Sequence, residues 1–314
     1  MTGKIFLDSG AFSAWSKGKV ININDYIDFI KRDKQRMITT YANLDVIGNS
    51  PETWNNQLIM EENGLDPLPV FHYGEDKRWL KRILNKGYTY IGLGGMVPIS
   101  NKSLIYWLDD LFKNYLTDNK GKAKLAVHAF GLTALNLVLR YPWYSIDSSS
   151  WQLRGSAYGL IDLPSSPGML TKEEHFYTKS LPISKGIKNF NTTTDHPALF
   201  EADKISQFDV SFLKKPKYKS DIEKFMGLYG FTLEELQNDS RMRAVWNAIY
   251  LITTTKKFNK DVIIYLATSD FKSLELLKQK IHDESLNFNI NVLTSFINTK
   301  NKSKLEKLHN LITK

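Results

Sequence analysis

Short apolar runs alternate with amphipathic stretches through the first half of the chain, and this alternation predicts strand–helix–strand units. Lys4–Asp8, Ile38–Leu44, Leu68–His72, Tyr88–Leu93, Lys124–Phe130 and Trp143–Asp147 set mostly apolar residues between polar turns, the pattern of strands buried on both faces. Between them, Asn24–Arg36, a segment opening at Ser50-Pro51-Glu52, Asp76–Lys86, Asn101–Leu116 and Leu132–Arg140 have helical spacing. Asn22 or Asn24 suits the N-cap of the first helix. Ser50 suits that of the second, with Pro51 at its first helical position. Such regular alternation predicts a parallel sheet with right-handed crossovers.

The pattern changes after Asp147. Residues 152–216 are rich in Gly, Pro, Ser and Thr, with strong turns at Leu163–Gly168 and Thr192–Pro197 and room for a short strand within Ser156–Leu163. Helical spacing returns at Ser220–Leu228, Thr232–Leu236 and Met242–Lys257. A buried strand follows at Val262–Ala267, then a helix to about His282 and a lysine-rich segment after Phe296. Seven strands are then in hand, and Gln207–Phe212 is the best candidate for an eighth. With no internal repeat, the expectation is a single α/β domain over residues 1–314. Its fold class is a TIM-type (β/α)8 barrel with a long insertion, residues 152–216, after strand six.

Each early strand delivers a polar or glycine-rich group at its C-terminal end. The groups are Asp8 before Ser9-Gly10, Asp45 before Val46-Ile47-Gly48, His72 before Tyr73-Gly74, Gly94-Gly95 before Met96, His128 before Ala129-Phe130-Gly131, and Asp147 before Ser148. In parallel α/β folds these ends share one face, and ligands bind there. A single Asp at such a place reads as a cap or turn residue. Three of them, Asp8, Asp45 and Asp147, suggest divided labour, in which one carboxylate attacks, one carries protons and one recognises N–H donors. Gly92-Leu93-Gly94-Gly95-Met96 fits a loop whose backbone approaches a ligand, and equally a tight turn; it matches neither a dinucleotide fingerprint nor a phosphate loop. His72 and His128 fit either structural donors or ligand contacts, and lack the spacing of a two-histidine metal site. Trp151 and the aromatics Tyr141, Trp143 and Tyr144 fit either a stacking platform for an extruded base or core filler.

Composition narrows the class. Hydrophobic residues at 42% and charged residues at 24% describe a folded domain. No apolar run approaches a bilayer span and no basic-then-apolar leader precedes the first strand, so no membrane association and a cytoplasmic location are expected, in the host cytoplasm if the chain is phage-encoded. The chain has no cysteine, which removes disulfides, thiol nucleophiles and cysteine-ligated metals. A net charge of +9 favours a polyanionic partner.

Taken in order, these residues resemble the tRNA-guanine transglycosylase superfamily, and within it the phage and bacterial DNA 7-deazaguanine ribosyltransferases, the DpdA proteins. Asp8-Ser9-Gly10-Ala11-Phe12 is similar to that family's Asp-Ser-Gly-Gly-Phe signature, whose Asp takes part in proton transfer. Asp45 is similar in place to its base-recognising Asp, and His72 stands where the tRNA enzymes have Gln. Gly94-Gly95-Met96 resembles the Gly-Gly-Leu loop that contacts the purine, and Ser145-Ile146-Asp147-Ser148 resembles the segment holding the nucleophilic Asp. The resemblance covers residues 1–151. The tRNA enzymes also have a Cys-rich zinc subdomain, which a cysteine-free chain cannot form, and this points to the DNA-modifying branch.

The resemblance implies a pentosyltransferase that replaces guanine in DNA with a free 7-deazaguanine base, preQ0 or a relative, through a covalent glycosyl ester on Asp147. Asp8 would move protons. Asp45, His72, Gly94, Gly95 and Met96, with Ser9 and His128, would bind the base. Lys17, Lys19, Trp151 and Arg154 would hold duplex or locally unpaired DNA. Neither a metal nor any other cofactor is called for, because one glycosidic bond is exchanged for another. Three alternatives stand beside it: the same exchange on tRNA, a nucleoside or glycoside hydrolase, and a non-catalytic nucleic-acid-binding barrel.

Overall fold

The apolar runs become strands because an outer layer of helices and a closely packed interior leave them no wet face. In a computed structural model of the protein, residues 3–132, 134–164, 178–184, 216–258, 261–299 and 302–313 are described. The strands are β1 (Ile5–Asp8), β2 (Ile38–Tyr41), β3 (Val70–His72), β4 (Tyr90–Gly94), β5 (Ala126–Ala129), β6 (Ser145–Ser148), β7 (Leu160–Pro164), β8 (Thr178–Pro182), β9 (Ile263–Ala267) and β10 (Asn291–Ser295). The helices are α1 (Ala11–Trp15), α2 (Ile23–Lys31), α3 (Ser50–Glu62), α4 (Lys77–Asn85), α5 (Asn101–Leu111), α6 (Leu135–Arg140), α7 (Ser150–Gln152), α8 (Pro216–Gly227), α9 (Leu233–Asn238), α10 (Ser240–Lys257), α11 (Phe271–Asp283), α12 (Phe296–Thr299) and α13 (Lys302–Thr313).

Eight strands form one curled sheet in the order β2-β1-β10-β9-β6-β5-β4-β3, and every pairing in it is parallel. Its two edges approach at a single parallel bridge, Ala42 with Leu68, where the Leu68 N–H donates to Tyr41 O (2.9 Å) and the Asn43 N–H to Leu68 O (3.0 Å). This mixed α/β architecture, a half-barrel of parallel strands, is compatible with a TIM-like fold. β7 and β8 stand apart as an antiparallel hairpin between β6 and β9.

Sequence and structure part company at the eighth strand. Gln207–Phe212 lies outside the described residues, and the strand beside β1 is Asn291–Ser295. Its asparagine-rich approach hides it, since Asn has low strand propensity. Asn291 nevertheless joins its neighbours, accepting from the Lys4 N–H (3.1 Å) and donating to Ile264 O (3.4 Å). Asn22, one of the two caps expected, caps α2. At α3 the cap shifts by one residue, Asn49 rather than Ser50, accepting from the Glu52 N–H at 3.1 Å. The helix expected over Asn101–Leu116 ends as α5 at Leu111 and continues as a π-helical turn, Phe112–Leu116.

Apolar side chains pack on both faces of the sheet. Outside, α2, α4, α5, α10 and α11 turn their apolar faces onto it. Inside, Phe6, Ala42, Leu68, Tyr265 and Leu293 are buried together, with Phe130 and Tyr90 against them. Gly92 makes this interior possible, because a Cβ there would stand 2.6 Å from the Phe130 ring. Strand alternation then carries the interior face upward from Phe6 to Asp8, from Tyr90 to Gly94 and from Ser145 to Asp147. The packed floor therefore ends in polar groups at the C-terminal tips.

Candidate active site

Asp8, Asp45 and Asp147 meet at that end of the sheet. Asp8 closes β1, and its Oδ2 accepts from the Gly10 N–H at 3.0 Å. Gly10 sits at φ +80°, a left-handed turn that suits glycine and folds the chain back over the carboxylate. Burial, then the charges of Asp45 and Asp147, push the Asp8 carboxyl from the ordinary 3.8 up to about 7, against the backbone N–H groups of Gly10 and Ser9. A group at that value both gives and takes protons near neutrality.

Asp45 lies past the end of β2 in a loop held down by α3. The loop's backbone is satisfied by buried polar side chains of that helix: Asn56 Nδ2 donates to Leu44 O (2.9 Å), and Thr53 Oγ1 accepts from the Val46 N–H (2.9 Å). Asn43 ties back to Thr53 O at 2.8 Å. This explains why the buried face of α3, Thr53, Asn56, Gln57 and Met60, is largely polar. Asp45 Oδ2 accepts from His72 Nε2 at 3.1 Å, while its Oδ1 is buried with no partner among the described residues.

His72, at the end of β3, is held from both sides. Its Nδ1 faces Glu75 Oε1 at 3.4 Å, and Ser50 Oγ donates to the same oxygen at 2.7 Å. Burial works against the imidazolium, yet the charge and hydrogen bond of Asp45, with those of Glu75, raise His72 to about 10. Burial likewise opposes ionisation of Glu75, and the bonds from His72 and Ser50 win, holding it below the usual range. With both ring nitrogens occupied, His72 is the clamp on Asp45 and not a free donor for a ligand.

The glycines of the next tip serve this clamp. A Cβ on Gly94 would stand 2.8 Å from His72 Cδ2, so Gly94 admits the imidazole. Gly95, at φ +68°, is exposed and turns the chain beside Tyr73; Met96 is 3% exposed and belongs to the core. The expectation for this loop rests on its backbone, and the N–H groups of Gly95 and Met96 have no acceptor among the described residues.

Asp147, 6% exposed in β6, is the most enclosed of the three acids. Its Oδ1 accepts from His128 Nε2 (3.1 Å) and from the Gly131 N–H (3.1 Å), leaving Oδ2 without a partner among the described residues. His128 lies beneath it with no exposure, so it supports Asp147 rather than facing the mouth. Ser9 is also buried, its Oγ accepting from the Ala11 N–H at 3.3 Å. Sequence reasoning missed Ser145, Glu75 and Ser50. The first was readable two places before Asp147 on the same strand face, the second three places after His72.

The nucleic-acid set divides. Lys17 and Lys19 are exposed in the turn that follows α1, close in sequence to Asp8 and beside exposed Phe12 and Trp15. Trp151 is corrected: at 2% exposure it packs in the core under α10, with its Nε1 buried and without a partner among the described residues. Arg154 is bound to the Asp162 carboxylate in the β7–β8 hairpin. Both are docked by α10. Asn247 bonds Trp151 O (3.3 Å) and Leu160 O (3.1 Å), and Arg243 Nε donates to Gly155 O at 2.8 Å. Among the described residues no group of three or more acids and histidines is placed to hold a metal ion, and no helix is long and apolar enough to cross a membrane. In comparisons with family models, curated proteins and solved structures, the chain matches none.

Proposed function

We propose that the chain is a base-exchange glycosyltransferase on a closed (β/α)8 barrel, exchanging guanine in DNA for a free 7-deazaguanine such as preQ0. The observation that carries this reading is the meeting of three carboxylates with different partners. Asp8 has only backbone donors and is raised to about 7, Asp45 is clamped by a histidine, and Asp147 is anchored through one oxygen. Carboxylates whose surroundings separate their properties are the pattern of acid–nucleophile pairs.

In the first step Asp147 Oδ2 attacks the sugar C1′, the bond from C1′ to the base nitrogen breaks, and Asp8 gives its proton to the departing guanine. In the second, the entering deazapurine returns a proton to Asp8 as its nitrogen displaces the Asp147 ester. Asp45 Oδ1, a buried acceptor without a donor, suits the N–H edge of a guanine-like base. The base must leave the duplex first, at a cost of a few kcal/mol. The net charge of +9 and exposed Lys17 and Lys19 suit the phosphate backbone.

The test is release of labelled guanine from DNA on addition of preQ0, with tRNA as the competing acceptor. Asp147→Asn should lower exchange about a thousandfold or more. Full activity in that variant would refute the nucleophile, and release driven by water alone would mean a hydrolase.

A further inference from the structure

Below Asp147 a line of polar atoms runs through an otherwise aromatic interior. His128 Nε2 meets Asp147 Oδ1 at 3.1 Å, His128 Nδ1 meets Ser145 Oγ at 2.6 Å, and Ser145 Oγ meets Tyr90 Oη at 2.6 Å. The four residues come from three adjacent strands, with His128 opposite Gly92 on β4 and Ser145 on β6, and Tyr90 two places before Gly92. His128 and Ser145 are fully buried. The imidazole is boxed by Phe6, Phe130 and Tyr265, with ring centroids 4.7, 4.4 and 6.1 Å away. None of those three rings supplies His128 with a hydrogen bond. Among the described residues the line therefore has two ends only: the Asp147 carboxylate at the mouth, and Tyr90, partly exposed and packed edge-on against the exposed ring of Tyr144 (5.2 Å).

We propose that Tyr90, Ser145 and His128 are positioning residues for Asp147, forming a chain of donors that all point toward it. This rests on the reading of Asp147 as nucleophile and adds the machinery that aims it. The direction follows from the chemistry of each member. A carboxylate only accepts, so the proton between His128 and Asp147 sits on Nε2. Nδ1 then accepts from the Ser145 hydroxyl, and Ser145 Oγ accepts from Tyr90, whose hydroxyl burial holds well above its usual range although the Ser145 bond pulls the other way. With Oδ1 held by this chain and by the Gly131 N–H, rotation of the carboxylate about its Cβ–Cγ bond is arrested and Oδ2 alone is presented.

Two measurements decide it. Nitrogen-15 NMR of the histidines in the intact protein should find His128 with a proton on Nε2 and a bare Nδ1. In Ser145→Ala the Nδ1 signal should move while the fold persists. A doubly protonated ring, or a proton on Nδ1, overturns the proposal, and this arm stands whether or not the protein turns over DNA. In the exchange assay, Tyr90→Phe keeps the ring and removes only the terminal donor. It should lower kcat roughly fivefold to tenfold with KM unchanged, as loss of one hydrogen bond to a buried network predicts, and Ser145→Thr should retain more activity than Ser145→Ala. Unchanged kcat in Tyr90→Phe would also overturn it. Absence of any base exchange by the native protein would refute the proposed function, leaving the tautomer to decide the donor chain.

Discussion

Replacing Asp8 by Asn should stabilise the protein, and do so only where Asp8 would be charged. Asn keeps the shape and the acceptor for the Gly10 N–H while removing the ionisable group. In the folded protein the Asp8 carboxyl is raised from 3.8 to about 7. A carboxyl with a higher value folded than unfolded binds its proton more tightly in the native state, so stability falls as pH rises from about 4 to about 7 and then levels off. At about 1.4 kcal/mol per decade a rise of this size is worth ~4 kcal/mol; since Asp8 has some access to solvent, about 2–4 kcal/mol is expected. Urea unfolding of both proteins at pH 4.5 and pH 8 measures it. Asp8→Asn should exceed the native protein by only about 1 kcal/mol at the lower pH and by the full amount at the higher, while losing base exchange. Equal stability at both pH values would mean that the three acids do not share one enclosed space.

Other outcomes follow from the clamp and the surface. Glu75→Gln removes one of the two charges flanking His72, so the His72 midpoint in an NMR titration should fall from about 10 by about 1–2. The stability His72 contributes, complete below about 6.5 and lost as pH rises toward 10, should shrink with it. Gly94→Ala places a methyl 2.8 Å from His72 Cδ2 and should cost about 1–3 kcal/mol in urea unfolding, with the His72 midpoint displaced because the ring must leave Asp45. On the proposed function, changing Lys17 and Lys19 together to Ala should flatten the salt dependence of DNA binding by about 1.8 in the log–log slope, with the fold intact.

What could be read from the chain, and what could not, divides along physical lines. Strand tips were legible because a buried parallel strand must be apolar until it reaches the ligand face, so Asp8, His72 and Asp147 stand out against their own strands. β10 was not, because Asn291, Thr294 and Ser295 break the apolar run even though Val292 and Leu293 bury on its two sides. The surroundings of Trp151 and Arg154 were hidden for another reason. Their partners, Asn247 and Asp162, are set by how α10 docks, and no local pattern encodes a contact between residues 151 and 247. Gly94 shows a third kind of limit. The sequence marks a glycine where space is needed, but not whether a ligand or a side chain fills it, and here the occupant is His72.

Three identical side chains at three strand tips are told apart by what each neighbour can donate. Gly10 offers Asp8 a backbone N–H and no charge, so burial and the two nearby carboxylates prevail and the proton stays. His72 offers Asp45 a cation fixed by Glu75, which occupies one oxygen and leaves the other buried and open to a donor. His128 and the Gly131 N–H hold one oxygen of Asp147 and free the other. On the proposed function, the division of labour therefore sits in Gly10, His72–Glu75 and His128–Ser145 rather than in the acids themselves. On the same proposal, exchanging a supporting residue should change a role more readily than exchanging one acid for another: Glu75→Gln should weaken base binding at Asp45, and Tyr90→Phe should slow attack by Asp147, while the Asp8 carboxyl stays raised in both.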